Sequence, residues 1–412
     1  MKPLLASIAL FTSLIGASPS LAEGPAAVTL GIDVLLDVRS DLDLVRLKDK
    51  RVGLITNASG VDGRLMTTAD RLHADPRVNL TQLYAPEHGL RGVLKAGEKV
   101  KDSIDPVTGV PVEALFGKRR QPTAKSLKRI DILLFDIQDI GSRTYTYVST
   151  LGETMKAAAK AGITYVVLDR PNPLGGLIFE GPIREERRKS FIGWGPLPVS
   201  HGMTVGELAQ FYNTAMGIGC DLHVVKMRGW SRTMTWGDTG LTWVATSPGI
   251  PTPEAAALYI ATGMIGGVTT NINEGVGTTL PFSLIGADFI DADALAATLT
   301  KAKLPGVRVR ATTYRPYYHR HRKQVLAGVQ LHVTDRSTFR PLRTALTVLT
   351  TLETMYPGKT LFRKAGYVAR VWGNTNVIPA IQAGASVADL EASWRDDQDA
   401  FTVERTKALL YR

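Results

Sequence analysis

Short apolar runs bounded by turn residues recur through the first half of the chain: Val52–Thr56 (VGLIT), Leu80–Tyr84 (LTQLY), Ile130–Phe135 (IDILLF), Ile163–Leu168 (ITYVVL) and Leu222–Val225 (LHVV). Runs this short, with little alternation of apolar and polar positions, suit strands covered on both faces. Helical spacing fills the gaps at Thr67–Ala74, at Val148–Ala161, where Gly162 is a stop signal, and at Thr204–Met216. The last opens with Thr204-Val205-Gly206-Glu207, a capping box in which hydroxyl and carboxylate satisfy each other's backbone N–H. Strand and helix in alternation predict βαβ units and a parallel sheet. Ala85–Lys125 breaks the rhythm with glycines and short alternating stretches, and reads as a hairpin-bearing insertion near the mouth of the sheet.

Past the proline-rich turn Ser247–Pro253 the pattern changes to a helix at Glu254–Met264, a glycine-rich loop, and strands at Val307–Ala311 and Val325–Val333 among further helices. The expected architecture is α/β: a Rossmann-like parallel-sheet domain over 23–250, followed by a smaller α+β domain over 251–412.

The first residues alter the picture of where the protein works. Lys2, an apolar run from Leu4 to Gly16 and the small pair Ser20 and Ala22 spell a secretory signal peptide, residues 1–22, with cleavage after Ala22. Glu23 rather than cysteine follows, so a lipoprotein anchor has no attachment point, and no later run is long enough to span a bilayer. The expected location is the periplasm. A net charge of +11 would raise nucleic acid as a partner in a cytoplasmic protein, but export argues against it and points to anionic envelope polymers such as peptidoglycan. The densest basic run, Tyr314–Lys323, reads as a solvated face. A single cysteine, Cys220, excludes an internal disulfide and a multi-thiolate zinc site.

In an open parallel sheet, ligands bind beyond the carboxyl ends of the strands. Those ends carry Asn57; the loop Ala85–Gly92 with Glu87, His88 and Arg91; Asp136, Gln138 and Asp139 followed by Arg143 and Tyr147; Asp169, Arg170 and Asn172; and His201 before the capped helix. Any one of these has a structural alternative, since Asp caps helices and Arg pairs with a neighbouring Asp. Together, several carboxylates among amides and arginines suit binding and cleaving a sugar. Asn57-Ala58-Ser59-Gly60 replaces a GxGxxG turn, and GxxxxGK[ST], HExxH and GxSxG are all missing, against dinucleotide binding, nucleotide hydrolysis, zinc proteolysis and α/β-hydrolase chemistry. A metal on His88, Asp136 and His201 is the less favoured reading of those residues; no metal or cofactor is expected.

The segments RVGLITNASGVD (51–62), APEHGLRG (85–92), LLFDIQDIGSRTYTYVSTL (133–151), LDRPNPLGG (168–176) and HGMTVGEL (201–208) closely resemble the exo-β-N-acetylmuramidase family of glycoside hydrolases. The resemblance implies a catalytic Rossmann-like domain, a smaller C-terminal domain and a cleft between them that releases N-acetylmuramic acid from non-reducing ends of peptidoglycan fragments. It points to Glu87 as the general acid, the role its glycine- and proline-held loop also favours. Asp136 and Asp139 are candidates for the second carboxylate, with Glu274 outside them; spacing does not choose. Arg143 and Arg170 offer forks for the lactyl carboxylate, while Asn57, Tyr147, Asn172 and His201 suit hydroxyl and amide groups. His88, Arg91, Gln138 and Asp169 complete the candidate binding set. Where the family pattern has EGRGT, this chain reads Glu274-Gly275-Val276-Gly277-Thr278, so one cationic anchor is missing at Val276. The rival reading is a non-catalytic periplasmic protein that captures muropeptides; an esterase or amidase lacks a recognisable nucleophile.

Overall fold

Seven strands form the main sheet in a computed structural model that describes residues 28–37 and 47–412. The expected export signal lies outside those residues. The strands are β1 (Arg51–Thr56), β2 (Asn79–Ala85), β3 (Ser103–Ile104), β4 (Pro111–Ala114), β5 (Ile132–Asp136), β6 (Thr164–Leu168) and β7 (Leu222–Val225). Their order is β3-β4-β2-β1-β5-β6-β7, parallel throughout except for β3. From β4 to β7 this is the Rossmann order, so the chain's direction of travel reverses at β1, which pairs with β2 on one side and β5 on the other. The crevice beyond the carboxyl ends of β1 and β5 is therefore where a ligand is expected.

The central strands are apolar because both faces are covered: β5 is buried along its whole length. Helices Thr68–Ala74, Tyr147–Ala161 and Val205–Ala215 lie within a residue or two of the expected bounds. The Thr204 hydroxyl accepts from Glu207 N at 3.2 Å and the Glu207 carboxylate accepts from Thr204 N at 3.0 Å, the reciprocal bonds of a capping box. Gly162 ends its helix at φ +65°, a left-handed conformation that glycine adopts without Cβ strain. The segment Ala85–Lys125 does hold a hairpin, β3 against β4, but β4 also pairs in parallel with β2 and so extends the main sheet. The hairpin is an edge of the sheet rather than a separate insertion.

The C-terminal part carries a three-stranded antiparallel sheet, in the order β8-β10-β9, from β8 (Leu284–Ala287), β9 (Val307–Tyr314) and β10 (Leu326–Val333). Its core is closed by helix Pro341–Met355 and by the helix entered at Pro253, which passes through a π turn at Tyr259–Gly263. The final helix, Arg395–Ala408, returns to the first part and packs on Val205–Ala215, with the Phe401 and Phe211 rings 5.5 Å apart. Beyond it, the Tyr411 hydroxyl donates to Asp169 at 2.6 Å.

Candidate active site

Four strand exits and the approach to the capped helix deliver the polar residues, and their hydrogen bonds sort them into groups held by the fold and groups with bonding capacity to spare. Glu87 leaves β2 on a loop in which His88 takes φ +70° and Gly89 φ +77°. A positive φ at histidine is strained, and the His88 Nδ1–H bond to the Leu94 carbonyl at 2.8 Å holds it. The loop buries Glu87 to 8% exposure. One carboxylate oxygen accepts from Gly97 N at 2.7 Å, the other from the Thr146 hydroxyl at 2.6 Å. Thr146 is the residue that begins helix Tyr147–Ala161, so Glu87 stands at the positive end of that helix.

Asp139 follows β5. Its Oδ2 accepts from Gly141 N at 2.6 Å and faces His201 Nε2 at 3.1 Å, whereas its Oδ1 is buried without a hydrogen-bond partner. Asn57 follows β1 and turns Oδ1 to Ser59 N and Oγ at 2.9 and 2.6 Å, leaving Nδ2 buried and unpartnered. This turn closes tightly because residue 60 is glycine: a Cβ there would lie 2.1 Å from Thr56 Oγ1 and 2.6 Å from the Asp136 carbonyl. Gln138 donates to the carbonyls of Asp139 and Pro171 at 2.8 and 2.7 Å while its own Oε1 stays unpartnered. Buried polar atoms are rarely left unpaired, so a donor on Asn57 and acceptors on Gln138 and Asp139, all at the β1/β5 crevice, mark a place built for a polar ligand.

Glu87 and Asp139 bear on one aromatic wall. The Tyr259 hydroxyl lies 3.2 Å from Thr144 Oγ1, and burial, Glu87, Tyr367 and Asp139 together push its pKa up to about 12. Tyr259 packs against Tyr145 at 5.8 Å and Phe282 at 5.0 Å between ring centroids, so the C-terminal part supplies this wall. Glu274, also from the C-terminal part, is 6% exposed, with Oε2 unpartnered and Arg320 Nη1 3.8 Å away.

Other candidates have polar atoms taken up by partners within the fold. Asp136 is fully buried and receives both Nε and Nη2 of Arg170 and the Thr68 hydroxyl, and Arg170 Nη2 also donates to the Val61 carbonyl. Arg143 is also fully buried and donates to the carbonyls of Pro182, Leu197 and Val371 at 3.0, 2.8 and 3.0 Å. Burial lowers its pKa to about 9. Its fork ties three loops together rather than facing a ligand. Arg91 pairs with Asp105 at 2.7 Å and approaches Asp70 at 3.6 Å. The Tyr147 hydroxyl donates to the Thr246 carbonyl at 2.6 Å, and burial drives its pKa well up. Asn172 joins Met203 O to Leu174 N, both at 3.0 Å. Asp169 accepts from Gly206 N at 2.7 Å, from Thr204 at 2.8 Å and from Tyr411 at 2.6 Å, anchoring a helix and the chain end. His201 is buried and acts on Asp139.

Among the described residues, no group of three or more His, Cys, Asp or Glu is arranged to hold a metal, and Asp136 and His88 are held apart by their own partners. The Cys220 thiol is buried, and burial pushes its pKa up to about 11, the state of a small core side chain rather than a nucleophile. No helix among the described residues is long and apolar enough to cross a membrane. Sequence reasoning missed Thr146 and Tyr259; the first lies inside the polar run Gly141–Tyr147, but the second carried no signal, because only the π turn aims it at the crevice.

Residues 52–254 match the N-terminal family and 257–411 the C-terminal family described as exo-β-N-acetylmuramidase NamZ. The chain is 44% identical to the peptidoglycan β-N-acetylmuramidase NamZ of Bacillus subtilis, over 99% of this chain and 98% of that one. Two crystal structures of DUF1343 family proteins from Bacteroides fragilis share the fold. One has a TM-score of 0.87 at 38% identity, covering 94% of this chain and 99% of its own. The other has a TM-score of 0.75 at 27% identity, covering 93% and 99%.

Proposed function

The chain belongs to the exo-β-N-acetylmuramidase NamZ family of glycoside hydrolases, and from that premise we propose that it removes N-acetylmuramic acid from the non-reducing ends of peptidoglycan fragments after export to the periplasm. The observation that carries the reading is Glu87: a carboxyl group with little solvent exposure, gripped by Gly97 N–H and the Thr146 hydroxyl, beside a crevice whose amide and carboxylate edges are unpartnered. Export is supported by the signal-like start, residues 1–22.

Cleavage of a glycoside needs an acid for the leaving oxygen and a group that manages the oxocarbenium-like centre. Glu87 delivers the proton, and its two donors then receive the carboxylate that remains. Asp139 manages the centre. Its unpartnered Oδ1 accepts the 2-acetamido N–H, turning the acetamido oxygen toward the anomeric carbon, while His201 and Gly141 keep Oδ2 fixed. Asn57 Nδ2 donates to the same sugar. Asp136 takes no part in the chemistry.

The test is release of 4-nitrophenol from the β-glycoside of N-acetylmuramic acid, beside the N-acetylglucosamine analogue, by the wild type and Glu87→Gln. Turnover of the muramic compound, lost in the variant, is expected. Saturable muropeptide binding in a calorimeter with no turnover of either compound would replace the hydrolase with a binding protein.

A further inference from the structure

N-acetylmuramic acid differs from N-acetylglucosamine by a lactyl carboxylate, so a site selective for it needs a cation. The arginines that the strand ends offer are taken: Arg143 by carbonyls, Arg170 by Asp136, Arg91 by Asp105. Arg119 is likewise held by Asp102 and Arg184 by Glu186. The geometry points to Arg120 as the carboxylate receptor of this site, its guanidinium lying between the rings of Phe116 and Phe191 and presenting an unpartnered N–H edge to the sugar held at Glu87. This assignment rests on the muramidase reading and names the group that gives it its selectivity.

Three observations support it. The guanidinium carbon lies 4.2 Å from the Phe116 centroid and 3.9 Å from that of Phe191, a double stack that fixes the plane of the fork without using any of its N–H groups. Its Nη1 is buried and has no hydrogen-bond partner, and Arg120 forms no ion pair among the described residues. A cationic donor withdrawn from water and left unpaired is costly, and a bidentate carboxylate is the ligand that satisfies it. Topology then brings it to the site. β2 and β4 are parallel neighbours with Ala85 opposite Ala114, so the loop bearing Glu87 and the loop bearing Arg120 leave adjacent strand ends on the same side of the sheet.

The nearby carboxylates do not quench Arg120. Burial lowers its pKa, and Glu87 and Glu153 raise it through space, yet the oxygens of both are held by other donors. Glu87 has Gly97 and Thr146; Glu153 has Gln121 and Trp194, each at 2.6 Å. A substrate carboxylate therefore meets a cation that the fold has positioned and left without a partner.

The experiment compares free N-acetylmuramic acid, its lactyl methylamide and N-acetylglucosamine by calorimetry on the wild type, Arg120→Gln and Arg120→Lys, followed by kcat and KM on the 4-nitrophenyl muraminide. Melting curves check that the variants fold, and Arg120→Lys keeps the charge should the glutamine variant not fold. Losing a charged hydrogen-bond pair weakens affinity for the acid by about 10- to 100-fold, and about 10-fold for Lys, which lacks the fork, with less than about 3-fold change for the two neutral sugars. The loss is expected in KM rather than kcat. Equal affinity of the wild type for acid and methylamide overturns the assignment. So does unchanged discrimination in both variants. If the wild type prefers the acid through Arg120 but cleaves no glycoside, the receptor stands and the hydrolase reading falls.

Discussion

His201 presents Nε2 to Oδ2 of Asp139 at 3.1 Å while its Nδ1 accepts from the Met203 N–H at 3.3 Å. The second bond settles the tautomer: the ring hydrogen sits on Nε2 and points at the carboxylate. His201 is a positioning residue. It holds one oxygen of Asp139 still, while the other, Oδ1, is buried beside the β1/β5 strand ends without a hydrogen-bond partner.

Asp139→Asn is therefore expected to reduce kcat on a 4-nitrophenyl muraminide by about 10²- to 10⁴-fold, the range for a group acting in the transition state, with little change in the melting curve. The amide oxygen can take the place of Oδ2 and accept from both His201 and Gly141, which leaves the NH2 where the acceptor Oδ1 stood and removes the charge that steers the acetamido group. A variant within about 3-fold of the wild type would remove Asp139 from the mechanism.

Asp136→Asn separates the two neighbouring aspartates. Asp136 is fully buried against Arg170, and removing the charge strands that guanidinium inside the fold. Breaking such a pair costs about 3–5 kcal/mol. Urea unfolding should show that loss in the midpoint, whereas kcat per folded molecule stays close to wild type. A large kcat loss with unchanged stability would restore Asp136 as a candidate for the second carboxylate.

What the sequence revealed and what it hid divide along a physical line. Strand runs such as LLF and the TVGE box are local signals, and the structure follows them because burial on both faces and reciprocal capping are decided within a few residues. The strand ends were likewise legible, so Glu87, Asp139 and Asn57 could be named as candidates. Whether Arg143 faces a ligand or three carbonyls depends on Pro182, Leu197 and Val371, the last 228 positions away. No spacing rule reaches that far. Arg120 was hidden for the same reason: Phe116 and Phe191 meet around it only after the sheet is built. The return of helix Arg395–Ala408 to Val205–Ala215 was equally out of reach of local pattern.

Glu87→Gln should show a leaving-group dependence that a structural role would not. A sugar alkoxide leaves poorly without a proton, whereas a dinitrophenolate leaves as the anion. The variant should lose about 10²- to 10⁴-fold in kcat/KM on the disaccharide N-acetylmuramic acid–N-acetylglucosamine and far less on the dinitrophenyl muraminide. Equal losses on both substrates would mean that Glu87 supports the loop instead of supplying the proton.

Asp169 gives the fold a pH dependence of defined sign. It is fully buried, and burial outweighs the donors around it, raising its pKa from 3.8 to about 6. Between those values the folded chain binds a proton that the unfolded chain has released. The resulting stability is complete below about pH 4 and disappears as the pH rises through 6. Asp169→Asn cannot titrate, and the Thr204 and Tyr411 hydroxyls that donate to Asp169 can turn to accept from its amide. The stability of the wild type relative to this variant should therefore fall by up to about 3 kcal/mol between pH 4 and pH 6.5, at about 1.4 kcal/mol per unit. Paired urea titrations at half-unit steps measure that difference. A flat profile would mean that the Asp169 carboxyl stays ionised in its buried setting, held so by the Gly206 N–H and the two hydroxyls.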